Sequence, residues 1–293
     1  MRRRAAAVAL VGVALVSGVL VACSRLSGAP DLGPGVTARW LELSRFSDRR
    51  ALVVAPSSIT PGKKGQPRVP LVVVIHGLGY DPEQMARTTG WVDAARDKGL
   101  VVAFADGLDH SFNAGTCCGQ SASDGVDDVG YLQRVIEDTE DRFPIDTGRV
   151  FMMGHSNGGM MTYRFLCSHA GELAGAASVA GTDAADCTPD HPVPFLQISG
   201  DDDPIVPLKG GRSAAPGIGP FRSVTGSVAD VAASMSCPAP VVVRARPVTS
   251  TRWAPCADGA TVGLDVVGGA SHGYPANDSY AATPRILQFW GLG

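Results

Sequence analysis

Short apolar runs with at most one charged residue recur along the chain, each bounded by residues that favour turns. Runs of this kind, rich in Val, Ile and Leu, are typical of strands that are buried on both faces, as in a parallel sheet. The pattern therefore predicts strands at residues 52–55, 71–75, 100–105, 150–153, 195–198 and 262–267.

Helical patterns lie between several of these strands. The segment 82–98 opens with Asp81-Pro82, a cap followed by a first-turn proline, and it ends before Gly99, a common stop signal. Further helices are predicted at residues 127–142, 158–169 and 281–290. Strands that alternate with helices indicate a doubly wound, mostly parallel α/β sheet. Because no repeat or linker interrupts the pattern, we predict a single domain over residues 36–293.

The start of the chain has a different pattern, in which three arginines precede an uncharged apolar run over residues 5–22. This arrangement is typical of an export signal peptide, which we place at residues 1–22. Residues 20–23 resemble the lipobox of bacterial lipoproteins, which implies cleavage before Cys23, lipidation of Cys23 and a tether at residues 23–35. An ordinary signal peptide or an uncleaved anchor is the alternative. We expect an exported protein that contacts the membrane through its lipid.

The charge balance argues against some partners and cofactors. The formal net charge is −3, and loss of the three arginines brings it to roughly −6, so a basic surface for nucleic acid is not expected. No G-x-G-x-x-G or Walker pattern is present in the sequence, so no nucleotide cofactor is predicted.

Export also affects how the cysteines are interpreted. Apart from Cys23 the chain has an even set, which favours disulfides in an oxidising compartment: Cys117, Cys118, Cys167, Cys187, Cys237 and Cys256. Cys237 and Cys256 flank a strand-like run at 241–244, and we expect them to pair. Paired C-x2-C spacings are absent from the sequence, so no metal site is predicted.

The neighbouring cysteines Cys117 and Cys118 need separate partners on this interpretation. A disulfide between adjacent residues would strain its own geometry. We therefore expect both to bond to Cys167 and Cys187, which would tie the loop after the third predicted strand to the helix behind the candidate nucleophile.

The candidate nucleophile lies where the predicted strand 150–153 runs into Gly154-His155-Ser156-Asn157-Gly158 and then into a helix. A strand, a G-x-S-x-G turn and a helix in this order form a nucleophile elbow, in which glycines leave room for a tight turn that exposes the serine hydroxyl. The pattern recurs around Ser271, but Tyr274-Pro275 follows there instead of a helix, and no further histidine lies beyond the pattern to act as its base. Ser156 is therefore the predicted nucleophile.

A serine hydroxyl needs a base, and in such folds the acid and then the histidine follow the serine along the chain. His272 is the one histidine after the acidic cluster Asp201-Asp202-Asp203, and it lies in a glycine-rich turn. Asp203 is the preferred acid because Pro204 biases it to an extended conformation. Asp201 and Asp202 stay open as alternatives.

An oxyanion-binding loop is predicted where the strand 71–75 runs into His76-Gly77-Leu78-Gly79. Such a loop can direct a backbone amide at the developing negative charge. We expect the amides of Leu78 and Asn157 to be the donors, with His76 shaping the turn at the substrate site.

Several further segments share a family pattern with these motifs, namely residues 105–107, 112–119, 127–132, 203–207 and 268–275. Over roughly residues 69–274 the chain resembles the secreted esterases grouped as polyhydroxybutyrate depolymerases and feruloyl or acetylxylan esterases, including LpqC-type lipoproteins. The resemblance implies an α/β-hydrolase fold, ester hydrolysis without a cofactor, and Ser156, His272 and Asp203 as nucleophile, base and orienting acid.

The chain departs from many of those relatives at Phe112 and Tyr274, where they carry tryptophan. The resemblance implies that both positions line the substrate cleft, and we expect Asn113 there as well. Asp127 and Asp128 stand at the start of a predicted helix, where a capping role is expected.

Short hydroxyalkanoate oligomers and feruloyl or acetyl esters are the expected substrates. Two alternatives stay open at this stage. One is a surface-tethered binding lipoprotein that keeps the fold without turnover, and the other is a peptidase or acyltransferase on the same fold.

Overall fold

The computed structural model describes residues 28–46, 48–277 and 279–293, so the predicted signal peptide and Cys23 lie outside the described residues. Its strands are β1 (Val36–Glu42), β2 (Arg50–Pro56), β3 (Val69–Ile75), β4 (Val101–Ala105), β5 (Ile145–His155), β6 (Gly175–Val179), β7 (Phe195–Gly200), β8 (Val241–Ala245), β9 (Val248–Trp253), β10 (Val262–Val267), β11 (Ala276–Asn277) and β12 (Tyr280–Ala281). Its α-helices are α1 (Pro82–Thr88), α2 (Trp91–Lys98), α3 (Gly119–Ser123), α4 (Asp128–Arg142), α5 (Asn157–His169), α6 (Val224–Ser234) and α7 (Ala282–Phe289).

Ten of the described strands form one sheet in the order β1-β2-β4-β3-β5-β6-β7-β10-β9-β8. Neighbouring strands from β4 to β10 in this order are parallel, whereas the strands at both edges join antiparallel. The predicted doubly wound, mostly parallel sheet is confirmed. Since parallel strands end at the same edge of a sheet, the loops that follow β3, β5, β7 and β10 meet at that edge.

The central strands are buried on both faces. Along β3, Leu71 and Val73 belong to one apolar cluster, which α4, α5 and α6 cover, whereas Val72 and Val74 belong to another, which α1, α2 and α7 cover. Successive side chains of a strand point to opposite faces, so burial on both faces requires an uninterrupted apolar run. This requirement is the reason why the sequence pattern identifies the central strands.

The predicted single helix over residues 82–98 is wrong, because two helices occupy this segment. Helix α1 is capped at its C-terminus by Thr89, whose hydroxyl donates a hydrogen bond to the Met85 carbonyl at 2.6 Å. Gly90 follows with φ of 77°, in the left-handed region that glycine adopts without strain, and α2 begins after it. The segment therefore forms two short helices, and both pack on the same face of the sheet.

The pattern also fails to predict β1, β6, β9 and α6. Strands β1 and β9 lie near the sheet edges and carry polar residues on half-exposed positions, while β6 consists of Gly, Ala, Ser and Val, which give little hydrophobic signal. Helix α6 contains a glycine and several β-branched residues, which have low intrinsic helix propensity.

The segment before β1 differs partly from the predicted tether. Ala29 and Leu32 are half-buried and pack against the apolar cluster that α1, α2 and α7 cover, so packed structure begins before residue 36. Among the helices of the described residues, none has the length and apolar character needed to cross a membrane.

Disulfides join Cys117 to Cys118, Cys167 to Cys187, and Cys237 to Cys256. The last is the pair that the sequence favours, but the prediction that Cys117 and Cys118 bond to the other two is wrong. Cys167 on α5 has its Cα atom 5.8 Å from that of Cys187, within the usual range for a disulfide, which leaves the neighbours only each other.

We expect the Cys237→Ala, Cys256→Ala double variant to lose about 3 kcal/mol of unfolding free energy, because its disulfide restricts a loop of about 20 residues in the unfolded chain. Urea unfolding would measure this loss, with the single variant Cys23→Ser as a control that leaves the disulfide intact. An unfolding free energy equal to that of the wild type would argue that this disulfide contributes nothing.

Candidate active site

Ser156 lies in a tight turn between β5 and α5, with φ of 53° and ψ of −116°. Such a backbone conformation is strained for a residue with a side chain and is maintained by its surroundings. A Cβ atom on Gly154 would lie 2.0 Å from the Gly158 carbonyl oxygen, and one on Gly158 would lie 2.3 Å from the Ile75 oxygen. Only glycine fits at both positions, so the turn depends on the G-x-S-x-G pattern.

Ser156, His272 and Asp203 lie in hydrogen-bonding succession at the shared edge of the sheet. The Ser156 Oγ atom is 2.9 Å from His272 Nε2, and His272 Nδ1 is 2.8 Å from Asp203 Oδ2. A carboxylate only accepts, so Nδ1 carries the proton and Nε2 accepts from the serine hydroxyl. In this tautomer the imidazole can take the serine proton.

The carboxylate of Asp203 is buried and held from two sides. Its Oδ1 atom accepts hydrogen bonds from the backbone amides of Ile205 at 2.8 Å and Val206 at 2.9 Å, which leaves Oδ2 for His272. The neighbouring Asp201 instead accepts from the Gly269 amide at 2.6 Å. Of the three candidate acids, the structure therefore brings Asp203 to the histidine.

The loop after β3 lies against the nucleophile. A Cβ atom on Gly77 would be 3.3 Å from the Ser156 Cβ atom, so this loop passes directly beside the serine. Among the described residues, the backbone amides of Leu78 and Asn157 have no protein acceptor. Both amides are available to bind a negative charge that develops beside Ser156.

Both ring nitrogens of His76 form hydrogen bonds with the backbone around this loop. Its Nε2 atom accepts from the Gly107 amide at 2.9 Å, so Nδ1 carries the proton and donates to the Gly77 carbonyl at 2.8 Å. The ring is 1% exposed, and burial lowers the pKa of His76 to about 4. The ring therefore joins the turn at Gly77 to Gly107, and because it is buried it does not line an open cleft.

Phe112 and Asn113, predicted to line the cleft, are buried instead. The Asn157 side chain accepts from the Phe112 amide at 2.8 Å and donates to the Phe112 carbonyl at 2.9 Å. Asn113 donates from its backbone to Asp128 at 2.6 Å and from its side chain to the Val126 carbonyl at 3.0 Å. These bonds draw both residues into the protein, so the substrate-binding prediction is wrong for them.

The two acids before α4 have different roles. Asp127 accepts from the Gly130 amide at 3.0 Å and is the predicted helix cap. Asp128 is fully buried and lies 2.7 Å from the guanidinium of Arg49, which is itself 5% exposed. The capping prediction is therefore wrong for Asp128, because its carboxylate neutralises a buried cation.

His155 is part of the site although the sequence gives it no role beyond adjacency to Ser156. Its ring is 3% exposed and lies 5.7 Å from the His272 ring and 5.8 Å from the Tyr80 ring, measured between centroids. Neither ring nitrogen has a hydrogen-bond partner within the part of the chain that the structure describes. Burial, with a smaller contribution from His272, lowers the pKa of His155 to about 3. The sequence signal for this position is that His155 ends a strand predicted to be buried and directly precedes Ser156.

We expect the stability to fall as the pH drops from about 6.5 toward 3, because the unfolded chain then binds a proton that buried His155 does not bind. Between about pH 7.5 and pH 4.5, the His155→Phe variant should lose roughly 2–3 kcal/mol less than the wild type. Urea unfolding at both pH values measures this difference, with His191→Phe as the control for an exposed imidazole. Identical losses in wild type and His155→Phe would contradict the assignment.

Comparisons with known proteins agree on the class of this fold. A sequence model of the phospholipase/carboxylesterase family matches residues 61–221. NocK of Nocardia uniformis subsp. tsuyamanensis, which its name assigns provisionally to the esterases, is 34% identical over 161 residues, covering 54% of this chain and 46% of NocK. Feruloyl esterase B of Piromyces equi is 29% identical over 175 residues, covering 56% of this chain and 31% of that protein. The chain thus spans less than half the length of these relatives.

Among solved structures, the acetyl xylan esterase from Aspergillus awamori has a TM-score of 0.66 and 12% identity, covering 88% of this chain and 99% of that chain. This likeness shows the α/β-hydrolase fold. The matched family segment covers more than half of the chain and contains both the loop after β3 and Ser156. The chain therefore belongs to the phospholipase/carboxylesterase family of α/β-hydrolases.

Proposed function

We propose that this protein is an exported serine esterase that hydrolyses carboxylic esters through an acyl-enzyme. The observation that carries the proposal is the unbroken hydrogen-bonded succession from Ser156 through His272 to the buried Asp203. The names of the relatives, which include esterases, favour ester bonds over other acyl bonds.

The mechanism follows from the geometry. His272 Nε2 takes the proton of Ser156 as the hydroxyl oxygen attacks the ester carbonyl, and Asp203 stabilises the imidazolium that forms. The amides of Leu78 and Asn157 donate to the oxyanion of the tetrahedral intermediate. His272 then protonates the departing alcohol, and a water molecule, activated by the same imidazole, hydrolyses the acyl-enzyme. No cofactor takes part in these steps.

The surroundings of Ser156 favour a substrate with an apolar group. Leu78 and Tyr80 are each 37% exposed on the loop beside the nucleophile, where a ligand could cover them. Short hydroxyalkanoate oligomers and feruloyl or acetyl esters, the last two suggested by the relatives' names, are the substrates we propose.

Export is the proposed location. Disulfides persist in oxidising compartments, and the described cysteines are paired in three of them. Cleavage before Cys23 and lipidation of this residue would tether the domain to a membrane. The Cys23→Ser variant would then be recovered from the medium, whereas a wild type found wholly in the medium would exclude the lipid anchor.

Hydrolysis of p-nitrophenyl acetate, p-nitrophenyl butyrate and methyl ferulate by the purified protein tests the proposed activity. We expect a burst of p-nitrophenol equal to the enzyme present, followed by steady release, because the acyl-enzyme accumulates. Faster cleavage of matched anilides would indicate a peptidase, and acyl transfer to an added alcohol without free acid would indicate an acyltransferase. Absence of both burst and turnover would favour the binding lipoprotein.

A further inference from the structure

The segment that carries His272 has little regular structure to hold it. Glycines at positions 268, 269 and 273 surround the histidine, and Gly269 has φ of 71° in the left-handed region. Before His272, the Gly269 amide donates to Asp201 at 2.6 Å. Because glycines leave the backbone free to move, the segment also needs an anchor after the histidine.

Tyr274 supplies contacts at that point through its hydroxyl. Trp91 Nε1 lies 3.1 Å from Tyr274 Oη, and Thr283 Oγ1 lies 2.6 Å from Oη and 2.5 Å from the Thr89 carbonyl oxygen. The indole nitrogen can only donate and the carbonyl can only accept. The hydrogen bonds therefore run in one direction, from Trp91 to Tyr274, to Thr283 and to Thr89.

The partners of this hydroxyl belong to packed elements. Trp91 is the first residue of α2 and is fully buried, and Thr283 on α7 is 4% exposed. Burial raises the pKa of Tyr274 well above its ordinary value, so the phenol keeps its proton and stays a donor. Every polar atom in the chain of bonds is thus satisfied, and breaking it would leave buried groups without partners.

The Tyr274 ring makes a second connection to the site. Its centroid is 6.1 Å from that of His155, edge to face, and His155 in turn lies 5.7 Å from the His272 ring. Tyr274 therefore reaches His272 both along the backbone, two residues away, and through the intervening ring.

We infer that Tyr274 is a positioning residue, whose buried hydroxyl fixes the segment that carries His272 so that the imidazole stays between Ser156 and Asp203. The inference rests on the proposed function. It departs from the expectation that Tyr274 contacts substrate: the residue as a whole is half-buried, but its hydroxyl is engaged by Trp91 and Thr283.

The Tyr274→Phe variant tests this role, because it keeps the ring and removes only the hydroxyl. We expect kcat for p-nitrophenyl acetate to fall about ten-fold with KM unchanged, since a small displacement of a catalytic group is costly. Tyr280→Phe is the matched control: its hydroxyl donates to Asp265 at 3.0 Å, is also buried, and makes no contact with the triad.

A turnover-independent readout keeps this inference separate from the proposed function. The proton that His272 donates to Asp203 should give a downfield resonance in the NMR spectrum, which we expect to shift or broaden in Tyr274→Phe and to persist in Tyr280→Phe. A wild type without esterase turnover would refute the proposed function and leave this resonance to decide the inference. If Tyr274→Phe does not fold, Thr283→Val, which removes the acceptor, takes its place.

Three results would overturn the positioning role. The first is wild-type kcat together with an unchanged resonance. A second is a higher KM at constant kcat, which would mean that Tyr274 binds substrate after all. The third is an equal fall of kcat in Tyr274→Phe and Tyr280→Phe, which would trace the effect to general loss of stability.

Discussion

Replacing Ser156 by alanine is expected to lower kcat for ester hydrolysis by roughly 10⁴-fold or more, with the folded structure retained. The variant removes the oxygen that attacks the ester and leaves His272, which is 2.9 Å from it, without a proton to accept. The residual rate would come from the oxyanion-binding amides alone. Steady-state kinetics with p-nitrophenyl butyrate measure the loss, and circular dichroism checks the fold.

The second G-x-S-x-G pattern provides a matched control for this variant. Ser271 directly precedes His272, is exposed, and is followed by Tyr274-Pro275 rather than by a helix. Ser271→Ala should therefore retain most of the activity. Comparable losses in both variants, or full activity in Ser156→Ala, would remove the elbow serine from the mechanism.

The Arg49→Met variant is expected to lose about 3–5 kcal/mol of unfolding free energy, because it leaves the carboxylate of Asp128 buried without its cation. The two charges are 2.7 Å apart, the Asp128 side chain is fully buried, and the guanidinium also lies 3.4 Å from the centre of the Tyr131 ring. Chemical denaturation at neutral pH measures the loss.

Arg50→Met is the control from the adjacent position. Arg50 is half-exposed, pairs with Asp106 at 3.5 Å and lies over the Trp40 ring, so its loss should cost about 1 kcal/mol or less. Adding Asp128→Leu to Arg49→Met should recover part of the stability, since no buried charge is then left alone. Equal effects of the Arg49 and Arg50 variants would show that burial of the first pair is energetically unimportant.

The sequence predicts the central sheet well because double burial has a clear signature. Strands such as β3 and β4 are apolar at every position, whereas β6 is built from small residues and β9 is half-exposed, so neither has a distinctive pattern. The break between α1 and α2 depends on the left-handed backbone conformation of Gly90. The hydrophobic periodicity continues across this residue, so the pattern does not predict the break.

The triad geometry agrees with the order of residues along the chain, because parallel strands bring their following loops to one edge of the sheet. The buried polar contacts, in contrast, cannot be predicted from the order of residues along the chain. The pairing of Arg49 with Asp128 joins residues far apart in sequence, and the roles of Phe112 and Asn113 depend on which way their loop turns. The position of His155 against His272 likewise depends on tertiary packing.

The disulfide pairing also depends in part on tertiary packing, which the sequence pattern does not show. Cys237 and Cys256 flank the strand-like run that the sequence shows, which becomes β8 and is followed by β9, and this favours their pairing. The pairing of Cys167 with Cys187 depends on where the end of α5 meets the loop after β6. Once those two are joined, the neighbours Cys117 and Cys118 bond to each other despite the strain expected from their adjacency.

The most direct test of the proposed triad is to treat the folded protein with a fluorophosphonate and to map the modified peptide by mass spectrometry. Such a reagent reacts with a serine whose hydroxyl is activated by a neighbouring base. The geometry at the elbow predicts a single adduct on Ser156, which the His272→Ala variant forms much more slowly. An adduct on Ser271, or no adduct on the folded wild type, would contradict the proposal.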